Sequence, residues 1–284
     1  MKIIFAFLLL ISGFLLSQNQ RFVYEYTFKL DTLDKDHVQK DMMNLDITKE
    51  GSNFYSALLI SRDSLFKAQI EKGKASKFVE LDFRKIKQPI VSFRVSKTYP
   101  EFETVFHSVI NASNLAVKEL HKMNWTILPD IKDIKGFKSQ KATTKFGGRN
   151  WVAWFTDEIQ IQDGPYKFHG LPGLILHVED EGQTHIFTLA GSQNLDQQPL
   201  LMDSKIKEIF VTKERLNELW NDYKKDPAKN IKIMHGNSEM SQTLFYDSNT
   251  GNPLTKIELI RNKENRAKEF FKRFNNFIEK DLYR

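Results

Sequence analysis

The sequence predicts an α+β fold in which β structure dominates: a curved antiparallel sheet or half-barrel with a C-terminal amphipathic helix packed on it. Three observations carry this. Apolar residues alternate at period two along much of the chain, Gly and Pro punctuate those runs, and helical spacing occurs in only two stretches. Phe22, Tyr24, Tyr26, Phe28 and Leu30 alternate with Val23, Glu25, Thr27 and Lys29, which is a strand with one aromatic face. Asp31 to Lys40 is polar and reads as a loop; Asp31, Asp34 and Asp36 lack calcium-loop spacing. Met43, Leu45 and Ile47 then resume the alternation until Gly51 marks a turn.

Further strands are expected over Ile90 to Lys97 and Phe102 to Val109, separated at Pro100, and over Trp125 to Leu128, stopped by Pro129. Phe137 to Phe146 and Asn150 to Thr156 flank Gly147 and Gly148, a pair suited to the positive φ of a tight hairpin turn. On the second of these strands Trp151, Ala153 and Phe155 share one face and Val152 and Trp154 the other, so both faces are expected to be covered.

Two stretches read as helices. After Thr212, an N-cap residue, Leu216, Leu219, Trp220 and Tyr223 recur at helical spacing over Lys213 to Lys224 and stop before Pro227. At the C-terminus Ala267, Phe270, Phe271, Phe274, Phe277, Ile278 and Leu282 form an apolar stripe opposite Lys and Arg. Each is expected to lie on the sheet. With no repeat, low-complexity tract or linker, residues 19–284 read as one domain.

Lys2, the apolar run Ile3 to Ile11, its resumption at Phe14 to Leu16 and the polar Ser17 to Gln20 have the plan of a signal peptide over residues 1–18. The stretch is shorter than the roughly 20 apolar residues that span a bilayer, so no transmembrane span is expected after cleavage. The expected location is therefore the periplasm or the outer membrane, or the exterior. The chain has no Cys, which rules out disulfides, a lipid-modified cysteine and a cysteine nucleophile. The +6 charge comes from 42 basic residues interspersed with 36 acidic ones, a solvated surface rather than a nucleic-acid patch.

The densest cluster of special residues runs from Trp151 to Ile175. Asp163, Gly164 and Pro165 supply turn chemistry, Tyr166 and Phe168 alternate aromatics, and Pro172 before Gly173 fits the central positions of a type II turn. Gly170, Leu171, Pro172, Gly173, Leu174 and Ile175, with the preceding Ala153–Thr156 and Gly164–Phe168 runs, resemble the signature of the GLPGLI family, exported proteins typical of the Bacteroidetes. The resemblance is specific over Gly136 to Ile175. Relatives often carry a Cys near Phe137 to Ala142, where Ser139 stands here, so a thiol-dependent role is not carried over. The resemblance implies an exported protein and brings no cofactor or catalytic residue.

Two site readings follow. Trp154, Tyr166 and Phe168, with Gly170, Leu171, Pro172 and Gly173, could frame a groove for an apolar ligand or an outer-membrane or envelope partner, or the motif could be a structural elbow. If Asp180, Glu181 and Gly182 form a three-residue hairpin loop, His177 lies opposite His185 and shares a face with Glu179, an arrangement able to hold a divalent metal. A two-residue Glu181-Gly182 turn would instead separate the histidines. His169 reads as a turn-capping or solvent-facing residue, and Asp157 and Glu158 point to opposite faces. Signatures of serine hydrolases, zincins, phosphate loops and dinucleotide folds are missing. The expected role is thus a non-catalytic envelope binding or accessory protein without a cofactor. The alternatives are a metal-assisted hydrolase and a purely structural component.

Overall fold

The computed structural model describes residues 19–34, 36–76, 89–111, 113–197, 207–234, 245–246 and 251–284. The stretch read as a signal peptide lies outside them. In chain order the elements are β1 (Asn19–Lys29), β2 (Val38–Ile47), β3 (Gly51–Ser56), α1 (Ala57–Ser76), β4 (Arg94–Thr98), β5 (Thr104–Ile110) and β6 (Ser113–Glu119). There follow β7 (Thr126–Ile134), β8 (Phe137–Phe146), β9 (Arg149–Thr156), β10 (Leu174–Asp180) and β11 (His185–Leu195). The remainder comprises β12 (Ile209–Phe210), α2 (Lys213–Lys225), α3 (Lys229–Met234), β13 (Phe245–Tyr246), β14 (Pro253–Leu254) and α4 (Lys256–Arg273).

Twelve strands make one sheet in the order β12-β6-β5-β4-β3-β2-β1-β11-β10-β9-β8-β7. It consists of two antiparallel meanders joined where β1 pairs with β11, and β12 adds parallel to β6 at one edge. The sheet is rolled. Phe106 on β5 and Phe146 on β8 are eight strands apart, a separation of roughly 38 Å in a flat sheet. Both nevertheless bring their ring centroids within 6.4 Å of the Tyr166 ring. The curved sheet, the β dominance and the helical cover agree with the sequence expectation.

The aromatic face of β1 is buried as its alternation predicts: Phe22, Tyr24, Tyr26 and Phe28 are each at most 4% exposed. Tyr26 stacks between Phe28 at 4.4 Å and Phe187 at 4.1 Å, and such pairs add about 0.5–1.5 kcal/mol each beyond area burial. Gly147 and Gly148 have φ of 57° and 74° and form the two-residue turn of the β8–β9 hairpin. Pro129 does not end its strand. β7 is the sheet edge, and its register shifts between Ile127 and Ile131, so Pro129 sits in a bulge where no ladder hydrogen bond is required.

Thr212 caps α2 by accepting a hydrogen bond from the Arg215 backbone. The C-terminal helix differs from its expected extent. α4 begins at Lys256 behind a Thr255–Glu258 capping box and ends at Arg273, so Phe277, Ile278 and Leu282 lie on an irregular tail. The reason is tertiary: the backbone N–H groups of Asn275 and Asn276 both donate to the Leu30 carbonyl, and the Asn276 side chain donates to the Lys29 carbonyl. Those bonds to the end of β1 take over from helix continuation. Among the described residues no helix is long and apolar enough to cross a membrane.

Candidate functional site

Between β9 and β10, residues 157–173 fold inward over the concave face. The turn closes through Phe168 N–H donating to the Pro165 carbonyl at 3.1 Å, and a bridge pairs Asp163 with His169. The hexapeptide ends this loop. Gly173 N–H donates to the Leu171 carbonyl at 2.7 Å, a three-residue γ-type turn centred on Pro172 rather than the expected type II turn. The reason is that Leu174 N–H is already committed to the Ile159 carbonyl. Gly173, at φ 148°, presses so closely on β9 that a Cβ there would stand 1.9 Å from the Thr156 carbonyl oxygen.

The expected aromatic groove does not assemble as one surface. Trp154 lies on the outer face of β9 with the Lys132 ammonium 4.0 Å above its ring, whereas Tyr166 and Phe168 are buried in the interior. Strand alternation is the cause, since Trp151, Ala153 and Phe155 take the inner face. Within the hexapeptide Gly170 and Pro172 are exposed, while Leu171, Gly173, Leu174 and Ile175 are buried.

The metal constellation is also separated. β10 pairs His177 with Thr188 and Glu179 with Ile186, a register matching neither expected turn. His177 therefore sits on the outer face, hydrogen-bonded to Thr188 and 3.6 Å from Glu179, while His185 is 1% exposed inside. The Asp180 carboxylate widens the loop by accepting the backbone N–H groups of Thr184 and His185. No metal-binding group of His, Asp and Glu forms among the described residues. His169 caps its turn through Nδ1 and the Lys167 carbonyl at 2.8 Å. It is buried rather than solvent-facing, stacked on Phe102 at 4.7 Å, and burial first, then Lys97, depresses its basicity.

What the structure brings together instead is a cavity of about 260 Å³ between the concave face, α2, α4 and the C-terminal tail. Its walls are aromatic, with Phe28, Phe93, Phe106, Trp220 and Phe277 among them. Ile90, Val109 and Phe270 also line it and are each more than 40% exposed, so they form an apolar rim open to solvent. His185 and Tyr26 lie at its inner end. Tyr26 Oη and His185 Nδ1 are 2.7 Å apart, and His185 Nε2 has no hydrogen-bond partner. Burial and the neighbouring Arg149 push the imidazole down to about 3, while Asp180, the Asn276 side chain and the Phe277 backbone oppose that shift. The ring is neutral at pH 7.

The tail that roofs this cavity is fastened by charge. Arg149 donates to the Ile278 and Phe277 carbonyls, to Asn276 and to Asp180. Glu279, fully buried, accepts from Tyr166 Oη at 2.5 Å and pairs with Lys167 and Lys213 at 2.6 and 3.0 Å. Burial alone would raise the Glu279 pKa, but Lys167 and Lys213 hold it below the usual value. A larger, more open cleft of about 940 Å³ lies beyond the tail. Its Arg149, Lys213, Glu119 and Asp180 are already engaged with one another or with the tail, so it presents no single-sign field.

On the outer face Ser96 Oγ lies 3.0 Å from His107 Nε2, and His107 Nδ1 lies 2.7 Å from Glu208. That chain has the connectivity of a hydrolase triad. Burial, then Arg94 at 3.1 Å from Nδ1, depresses the imidazole to about 4, and neither described cavity includes Ser96. A base so far below neutrality is a poor proton acceptor for a serine.

Fold and cavity together define a rolled antiparallel half-barrel that encloses an aromatic cavity beneath its own C-terminal segment. A family model described as a protein of unknown function, Porph_ging, matches residues 110–177, a stretch that contains the hexapeptide. No curated protein matches the chain. The solved structure of PNGF-II is similar in fold, with a TM-score of 0.50 and 11% identity over 71% of this chain and 33% of PNGF-II. The chain thus spans about a third of that protein's length. A second crystal form of PNGF-II gives a TM-score of 0.48 at 11% identity, covering 71% of this chain and 32% of PNGF-II.

Proposed function

We propose that this chain is an exported cell-envelope protein of the GLPGLI type that binds an apolar molecule in the cavity beneath α4 and the tail, without catalysing its conversion. The observation that carries the reading is the cavity with its solvent-open rim of Ile90, Val109 and Phe270. Apolar side chains at the mouth of an aromatic cavity remain exposed at a cost that an entering ligand offsets. Export is supported by the apolar N-terminal run and the family resemblance. In this reading the hexapeptide is an elbow that positions Tyr166 against the cavity, and the groove is interior rather than on the Trp154 face.

The test is native mass spectrometry of the protein purified from its own envelope, followed by denaturing extraction. A released small apolar molecule, lost from a Val109→Trp variant, is the expected result. Retention of the same molecule by that variant, or an empty protein that also fails to bind apolar fluorescent probes, would remove the proposal.

A further inference from the structure

We infer that Lys97 and Asp163 are the site of a covalent self-modification, in which the Lys97 amine condenses with the Asp163 carboxyl to an isopeptide bond and one water is lost. The two side chains touch, and both are fully buried. Burial removes the solvation that keeps the two ions apart and excludes the water that would hydrolyse the product. The bond would tie β4, in the β1–β6 meander, to the loop between β9 and β10 in the other meander. The chain has no Cys, so no disulfide can do this.

The surroundings supply what the step requires. Burial depresses the basicity of Lys97 and Asp163 opposes that shift. Transfer of one ammonium proton to Oδ1, the carboxylate oxygen facing the amine, discharges both groups in a low-dielectric interior. A neutral amine has two N–H groups and one lone pair, and desolvation makes it a nucleophile. Lys97 Nζ lies 2.7 Å from the Gly164 carbonyl and 3.0 Å from the Tyr166 carbonyl, with the Phe168 carbonyl farther off at 3.5 Å. The two nearer carbonyls take the N–H groups, which leaves the lone pair for the Asp163 carboxyl carbon. When Nζ adds to Cγ, negative charge forms on Oδ2, where the Ser52 hydroxyl at 2.6 Å and the Tyr99 hydroxyl both donate. Burial and the Asp163 charge keep the Tyr99 hydroxyl protonated. Oδ1 carries the transferred proton, takes a second from the nitrogen and leaves as water when its bond to Cγ breaks. Ammonium and carboxylate thus become an amide and one water, with no oxidant, reductant or cofactor. Lys167, the other buried lysine among the described residues, lacks this isolation. It is shared between Glu119 and Glu279, and Lys213 adds a second cation that helps hold Glu279 ionised.

The experiment is intact-mass measurement and tryptic peptide mapping of the full protein, with Lys97→Arg alongside. The expected wild-type mass is one water below that of the sequence from its observed N-terminus. The map should contain a peptide joining the segments of Lys97 and Asp163, with no cleavage after Lys97. Lys97→Arg keeps the cation, offers no amine nucleophile and should show the full mass. A wild type of full mass with a free Lys97 overturns the inference. So does a missing water confined to Asp163-Gly164 as a cyclic imide, opened by hydroxylamine while Lys97 stays free. The wild-type map decides the matter even where Lys97→Arg fails to fold.

Discussion

The ammonium of Lys97, on β4, is held by the carboxylate of Asp163 in the loop that precedes the hexapeptide, and both side chains are fully buried. Lys97 also donates to the Gly164 and Tyr166 carbonyls at 2.7 and 3.0 Å, and Asp163 accepts from Ser52, Tyr99 and the Gly164 backbone. Burial draws the Lys97 pKa down and Asp163 opposes it. The loop that carries Tyr166 into the cavity wall is therefore pinned to β3 and β4 by a pair whose halves cannot be left alone. Lys97→Met is expected to cost about 3–5 kcal/mol in urea unfolding, because it strands a buried carboxylate. Adding Asp163→Leu should return part of that loss. A single-variant cost below about 1 kcal/mol would mean that the pair does not hold the loop.

The two glycines of the hexapeptide test the elbow directly. Gly170 has φ 86°, but a Cβ there would meet nothing within 4 Å, so Gly170→Ala should cost only the left-handed backbone penalty of about 1–2 kcal/mol. Gly173→Ala adds a collision with the Thr156 backbone, which must move. The second variant should be less stable than the first by at least about 2 kcal/mol, within the range that overpacking costs. Thermal melts of the two proteins side by side decide it, and equal stabilities would contradict the close approach.

These contrasts mark what the sequence could show. The face of β1, the Gly147-Gly148 hairpin and α2 were legible because alternation, turn chemistry and capping act within a few residues. α1 was not, since Leu58, Leu59 and Ile60 cluster in its first turn instead of recurring at helical spacing. The cavity was illegible for a different reason. It is made by His185, Phe106, Trp220 and Phe277 from four elements that meet only when the sheet rolls, and the His185 register depends on Asp180 capping its own loop. The signal that could have found it was the C-terminal aromatic stripe, whose length beyond Arg273 suited a tail in a cavity as well as a helix.

Stability should fall on mild acidification. His185 and His107 ionise at about 3 and about 4 in the folded protein, below their ordinary 6.5. The unfolded chain therefore binds more protons than the native one from about pH 6.5 downwards. Stability is full above that range and declines as pH drops, with a slope approaching about 1.4 kcal/mol per pH unit for each such histidine. Glu279, held below 4.5, contributes only at lower pH. Between pH 6.5 and 4.5 the loss is thus a histidine effect, to which the buried His169 and the half-buried His177 also contribute, and His185→Phe should make it shallower by one histidine's share without abolishing it in urea titrations at pH 7, 6 and 5. A wild-type stability constant across that window would refute the buried neutral imidazoles.

Ser96, His107 and Glu208 give the last prediction, because their connectivity invites a hydrolase reading that their electrostatics oppose. Glu208 sits 2.7 Å from His107 Nδ1 and accepts from Arg94 at 3.2 Å, so the carboxylate's charge is shared with a guanidinium that also bears on the ring. An imidazole at about 4 is more than two units below the neutrality at which a general base works best. The cluster is then a cross-strand fastening of β4, β5 and the segment ahead of β12. Fluorophosphonate probes should leave Ser96 unlabelled, and Ser96→Ala should change ester turnover not at all and stability by about 1 kcal/mol, the worth of one hydrogen bond. Stoichiometric labelling of Ser96 would show that substrate binding displaces Arg94 and restores the base, and the non-catalytic reading of the protein would fall with it.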